Sequence, residues 1–80
     1  METALITGAS RGIGAATARV FAQNGWQVAV NYNKSEENAK KLVNEINAGG
    51  GRALAFRADV RSQNEVLKMV EAAEICLGKI

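Results

Sequence analysis

Gly8, Gly12 and Gly14 stand close together near the start of the chain, in the string Thr7-Gly8-Ala9-Ser10-Arg11-Gly12-Ile13-Gly14. Glycines so placed let backbone N–H groups come close to an anion, because no Cβ stands between. Arg11 adds a cation inside the loop, and its guanidinium can fork onto a phosphate. The chemistry these residue types suit is the holding of a pyrophosphate. A P-loop is excluded, since no Gly-Lys-Ser or Gly-Lys-Thr follows. The competing reading is a glycine-rich turn that only packs a helix on a strand. The neighbouring elements decide between the two.

Thr3 to Thr7 is short and apolar and ends at Gly8, which predicts a buried strand. A helix from about Ile13 to Asn24 follows. Ile13, Ala16, Val20 and Phe21 fit its apolar period, with Ala9 and Ala15 keeping the approach close, and Gly25 stands where a C-terminal cap is expected. Gln27 to Tyr32 is the second strand. Ser35 is placed to cap a helix from Glu36 to about Ala48, with the core stripe Ala39, Leu42, Val43 and Ile46. Arg52 to Ala58 is the third strand. Ser62-Gln63-Asn64-Glu65 has the form of a capping box for a helix running to about Leu77, with Val66, Val70, Ala73 and Leu77 inward. Met69 reads as core, Trp26 as a partly buried anchor, and Cys76 as a small packing residue near the apolar face of the last helix.

Strand and helix therefore alternate three times. That order predicts an α/β fold, a Rossmann-type parallel sheet β-α-β-α-β-α with strand order 3-2-1, over residues 1–80. The glycine loop falls between the first strand and the first helix. There the helix N-terminus faces a ligand with unpaired N–H groups and the positive end of its dipole. This context gives the triplet its weight and points to a dinucleotide.

The end of the second strand bears on which dinucleotide. An NAD site places Asp or Glu there to hold the ribose hydroxyls. This sequence has Asn31, Tyr32 and Asn33, followed by Lys34. No carboxylate stands there to repel a 2′-phosphate, and Arg11 and Lys34 are cations to pair with one. The expectation is NADP(H) over NAD(H).

Composition narrows the remaining classes. Hydrophobic residues make up 48% and charged residues 22% of the 80, ordinary for a globular domain. A chain of this size buries about 60–65% of its unfolded surface, so its core is thin. The net charge is +2, with cations scattered from Arg11 to Lys79, which gives no reason to infer nucleic-acid binding. With one Cys and no His there is neither an internal disulfide nor a zinc ligand set. No apolar run approaches a membrane span and the first residues do not read as a signal peptide, so a cytoplasmic location is the default expectation.

The string from Thr7 to Gly14 resembles the short-chain dehydrogenase/reductase family. Val30-Asn31-Tyr32-Asn33, Gly49-Gly50-Gly51 and Arg57-Ala58-Asp59-Val60 resemble it too, in order and at its spacing. The nearest subgroup in appearance is the 3-oxoacyl-[acyl-carrier-protein] reductases. The resemblance implies hydride transfer between NADP(H) and a carbonyl–alcohol pair, with an Arg at position 11 going with NADP(H). It implies that Asp59 accepts from the adenine amino group and that the Val60 backbone touches the ring. The candidate cofactor contacts are thus Gly8, Ser10, Arg11, Gly12, Ile13, Gly14, Asn31, Tyr32, Asn33, Lys34, Asp59 and Val60. The family's Tyr-x-x-x-Lys motif has no counterpart among these residues: four residues past Tyr32 stands Glu36. The matched region is the first third of such an enzyme, so the expectation is a cofactor-binding segment that stops before the catalytic residues. A stand-alone dinucleotide-binding module and a non-functional remnant are the alternatives. An open edge on the first strand, where a fourth strand would dock, predicts marginal stability and self-association.

Overall fold

A computed structural model describes residues 1–9 and 11–80. Three strands, β1 (Thr3–Ile6), β2 (Gln27–Tyr32) and β3 (Arg52–Arg57), alternate with three helices, α1 (Gly12–Gln23), α2 (Glu36–Ala48) and α3 (Gln63–Leu77). The strands form one parallel sheet with β2 in the middle, the predicted order read from the other edge. Thr3 pairs with Gln27 and Gln27 with Arg52, so the three strands start level; β1 stops opposite Val30, two residues before β2 and β3 end together at Tyr32 and Arg57. The loops that follow them gather at one rim.

β2 carries an unbroken buried run, Val28 to Asn31, as a central strand covered on both faces should. Val28 and Val30 face α1 and α2, meeting Ala15, Ala18, Leu42 and Ile46. Ala29 faces the other way, onto Ala73 and Leu77 of α3, with Leu5, Leu54 and Phe56 alongside. One face thus has a substantial core under two helices. The other has a smaller core under one.

The face that α1 turns inward differs from the expectation in part, since Ala9 and Ala15 are buried as expected and Ile13 and Val20 are not. Ala15 and Ala18 are buried, with Phe21 and Ala22 packed behind them, while Ile13 is 88% and Val20 56% exposed. The helix lies so close to the sheet that only its small-residue stripe fits beneath it, which overrides the simple apolar count. Cys76 also departs from its expected place and is exposed. The inward stripe of α3 narrows to Met69, Ala73 and Leu77 over a sheet only three strands wide.

The ends of the elements are held by specific bonds. α1 ends in a Schellman turn: Trp26 N–H donates to Phe21 C=O and Gly25 N–H to Ala22 C=O, each at 3.1 Å, with Gly25 at φ +86°. The rings of Phe21 and Trp26 meet edge to face at 4.9 Å across that turn, which makes Trp26 the anchor it was expected to be. Ser35 makes no side-chain cap on α2, contrary to expectation. Ser62 Oγ does cap α3, accepting from Glu65 N–H at 3.3 Å. At the far end of α3, the Leu77 carbonyl accepts from Gln27 Nε2 at 2.6 Å and from Thr3 Oγ1 at 3.2 Å. That clasp fixes α3 against β1 and β2 and sets where its first turn meets the loop rim.

Candidate dinucleotide-binding site

The rim at the C-terminal ends of parallel strands is where open α/β sheets hold ligands. Here the loop after β1 is joined to its neighbour by two bonds to one residue. Ala9 N–H donates to the Asn31 carbonyl and Gly8 N–H to Asn31 Oδ1, both at 3.1 Å. The loop after β3 continues the ladder, with Ala58 N–H donating to the Tyr32 carbonyl at 2.9 Å.

The three loop glycines have different reasons to be glycine. Gly8 and Gly12 sit at φ +60° and +67°, the left-handed region that favours glycine. A Cβ on either would meet nothing within 4 Å, so the space above them is open. Gly14 has no such backbone demand. Its Cβ would fall on the Gly8 carbonyl oxygen and within 2.9 Å of Ala9 Cα. Gly14 therefore serves the close seating of α1 on the loop. Ser10 lies outside the described residues. Arg11, the N-cap of α1, makes no side-chain cap. Among the described residues, no acceptor meets the N–H groups of Gly12 or Ile13, so both remain available to an anion. The side chain of Ile13 stands outward beside them.

Asn31 is not at the surface. It is 2% exposed, and its amide works inward. Nδ2 donates to the Ala58 carbonyl at 3.1 Å and lies 3.3 Å from Met69 Sδ. It joins the glycine loop, β2, the end of β3 and α3, so its role is to position the loops. Asn31 is expected among the cofactor contacts; the bonds its amide makes here all lie within the chain.

Tyr32 is half-buried, and its hydroxyl donates to Glu36 Oε2 at 3.1 Å. Burial first, then the Glu36 carboxylate, pushes the phenol above its ordinary pKa, with Arg57 opposing. Asn33 is held by Arg57: Nη2 donates to Asn33 Oδ1 at 3.1 Å and Nε to its carbonyl at 3.4 Å. Arg11 and Lys34 are exposed and have no ion-pair partner among the described residues. Arg11 lines a shallow hollow with Asn38 and Lys41. Lys34 lines a second with Ser35 and Glu37, and Asn38 borders both. The two hollows meet at Asn38 in the first turn of α2, and the carboxylates Glu36 and Glu37 also line the one beside Lys34.

Asp59 is already engaged. Its Oδ1 accepts from Arg61 N–H at 2.9 Å and from Nε at 3.0 Å, and Oδ2 accepts from Nη2 at 2.8 Å. These bonds from Arg61 hold the carboxyl at a pKa of about 2. A carboxylate has about four acceptor sites, so one more donor can still be taken. Val60 is 53% exposed beside it.

Three residues at the rim escaped the sequence reading. Arg57 stands in the sequence only within a string of general resemblance, Arg61 carries no signal there, and Glu65 reads as part of a capping box. The partner of Arg61 is two residues away within its own loop, while Arg57 reaches Asn33 only when the loops after β2 and β3 meet. Away from the rim, no helix among the described residues is long and apolar enough to cross a membrane.

Comparison with known proteins agrees with this geometry. A 3-oxoacyl-[acyl-carrier-protein] reductase from Synechocystis is 47% identical over 70 residues, covering 88% of this chain and 28% of its own. The crystal structure of a dehydrogenase/reductase from Sinorhizobium meliloti superposes with a TM-score of 0.94 at 43% identity, covering 96% of this chain and 31% of that one. A blue fluorescent protein from a metagenomic library, solved in complex with NADPH, superposes with a TM-score of 0.91 at 40% identity over 96% of this chain and 32% of that one. The chain thus spans about 30% of the length of the curated relatives it matches. The short chain dehydrogenase family model matches residues 2–80, and with this sheet and glycine loop the chain belongs to that family.

Proposed function

We propose that this chain forms the NADP(H)-binding part of an oxidoreductase that transfers hydride between that cofactor and a carbonyl–alcohol pair. The observation that carries the reading is the loop from Gly8 to Gly12. Among the described residues, the N–H groups of Gly12 and Ile13 at the start of α1 meet no acceptor, and the space beside Gly8 and Gly12 is unfilled. The residues fit the cofactor. Gly12 and Ile13 N–H take the pyrophosphate with the α1 dipole behind them. Ser10 belongs to the same loop in sequence. Tyr32 and Asn33 end β2 without a carboxylate, and Arg11 and Lys34 receive the 2′-phosphate. Asp59 and Val60 take the adenine. When bound, the nicotinamide supplies or accepts the hydride. The chain's own residues bind and orient the adenosine and pyrophosphate portions.

The choice of NADP(H) rests on the missing acid at the end of β2 and on two cations, Arg11 and Lys34, that have no ion-pair partner among the described residues. The relative solved with NADPH lends it support. Calorimetric titration with NADPH and NADH tests both levels. Saturable NADPH binding, at least tenfold tighter than NADH, is expected from about one charge-assisted contact to the 2′-phosphate. Equal affinities would overturn the cofactor choice. No saturable binding of either would overturn the reading.

A further inference from the structure

We propose that Arg57 and Glu65 are positioning residues that couple the two loops on the adenosine side of the site, fixing Asn33 and the Asp59–Val60 backbone as one wall. The proposal rests on the dinucleotide reading above.

Glu65 stands at the third position of α3, in a sequence that should send its carboxylate back to Ser62 N–H. It does not go there. Ser62 N–H instead donates to the Asp59 carbonyl at 2.9 Å. Glu65 Oε1 reaches further back and accepts from Asp59 N–H at 2.9 Å. The same oxygen accepts from Arg57 Nη1 at 2.9 Å. The other nitrogens of that guanidinium, Nε and Nη2, go to Asn33. A continuous path therefore runs from Asn33 through Arg57 and Glu65 to the Asp59 backbone. It joins the loop after β2 to the loop after β3.

Stability does not account for this arrangement. The Arg57 and Glu65 side chains are 55% and 40% exposed, and ion pairs at such positions contribute little to folding. What the pair does is geometric. Planar Arg57 holds Asn33 by its fork, which Lys cannot reproduce. Glu65 fixes the Asp59 peptide, and with it the direction in which the Val60 backbone faces the ligand.

The test combines Glu65→Ala, Glu65→Gln, Arg57→Ala and Arg57→Lys with two readouts on the full chain. The first is the Asp59 amide resonance and its hydrogen-exchange rate without ligand, with circular dichroism confirming the fold. Glu65→Ala should shift the resonance and speed exchange, while Glu65→Gln, which keeps an acceptor, should restore most of the protection. The second is calorimetric titration with NADPH. Glu65→Ala and Arg57→Ala should each weaken binding about fivefold, the factor one lost hydrogen bond carries, with Glu65→Gln recovering most of its loss and Arg57→Lys recovering little. If Glu65→Ala does not fold, the Gln and Lys variants carry the test through the same contrast. An unchanged Asp59 amide in every Glu65 variant overturns the coupling. So does unchanged NADPH affinity in a chain that binds it. Failure of the unsubstituted chain to bind NADPH overturns the dinucleotide reading instead, and the amide measurement still decides whether the coupling exists.

Discussion

Asn31 Oδ1 accepts from the Gly8 N–H at 3.1 Å, across twenty-three positions of sequence, and so ties the glycine turn to the central strand. The other end of the same amide holds the Ala58 carbonyl. One buried side chain thus sets the relative heights of the first and third loops, which between them are expected to hold the pyrophosphate and the adenine.

Asn31→Leu should destabilise the chain by about 1–3 kcal/mol, because the Gly8 N–H and Ala58 carbonyl each lose a partner that water does not easily replace. Asn31→Asp keeps the acceptor for Gly8 but loses the donor and buries a charge, so it should be no better tolerated. Urea melts give the stability change. Destabilisation no larger than a surface substitution would show that the amide does not tie the loops.

Gly12 and Gly14 should respond differently to substitution. Gly14→Ala places a Cβ on the Gly8 carbonyl, which overpacks the helix start at a cost of about 1–3 kcal/mol. Gly12→Ala has room but must hold φ +67°, at a cost of about 1–2 kcal/mol. Gly12→Val adds bulk where the phosphate would lie and should abolish NADPH binding. Thermal melts paired with titrations separate folding from binding. Full NADPH affinity in a folded Gly12→Val chain would place the phosphate elsewhere.

Arg11→Gln should lower NADPH affinity about tenfold and leave NADH affinity nearly unchanged, since only the 2′-phosphate distinguishes the two. An equal loss for both ligands would move Arg11 to the pyrophosphate.

The Asp59 carboxyl gives a pH signature. Its pKa in the folded chain is about 2, against an ordinary value of 3.8. A depressed folded pKa contributes stability that is present above 3.8 and is lost as the pH falls through about 2. Arg61→Gln removes the two guanidinium bonds and keeps the one from the backbone N–H, so the Asp59 midpoint should rise part of the way toward 3.8. Carboxyl carbon shifts followed from pH 1 to 6 read this directly.

Cys76 is open to solvent, so a thiol reagent should label it in the folded chain as fast as in urea. Cys76→Ser should change stability by no more than about 0.5 kcal/mol. Strong protection from labelling would return Cys76 to the packing role that its place in the sequence suggested.

Most of the architecture was legible in the chain because its signals are local. Apolar strand runs, the glycine triplet, Gly25 past the first helix and Ser62 before the third each act over a few residues. They determine the alternation of strand and helix, the parallel sheet, and the turn at which a helix N-terminus faces outward. The tertiary structure decided what depends on distant partners. Ala15 and Ala18 displaced Ile13 from the core because the closeness of α1 to the sheet selects the small face. Asn31 turned inward because Gly8 and Ala58 converge on it from both neighbouring strand ends. Glu65 left its expected cap because Asp59 N–H and Arg57 stand within reach only after β3 and α3 meet. Periodicity measures a residue's near neighbours, and a hydrogen bond across the fold is set by packing that periodicity does not record.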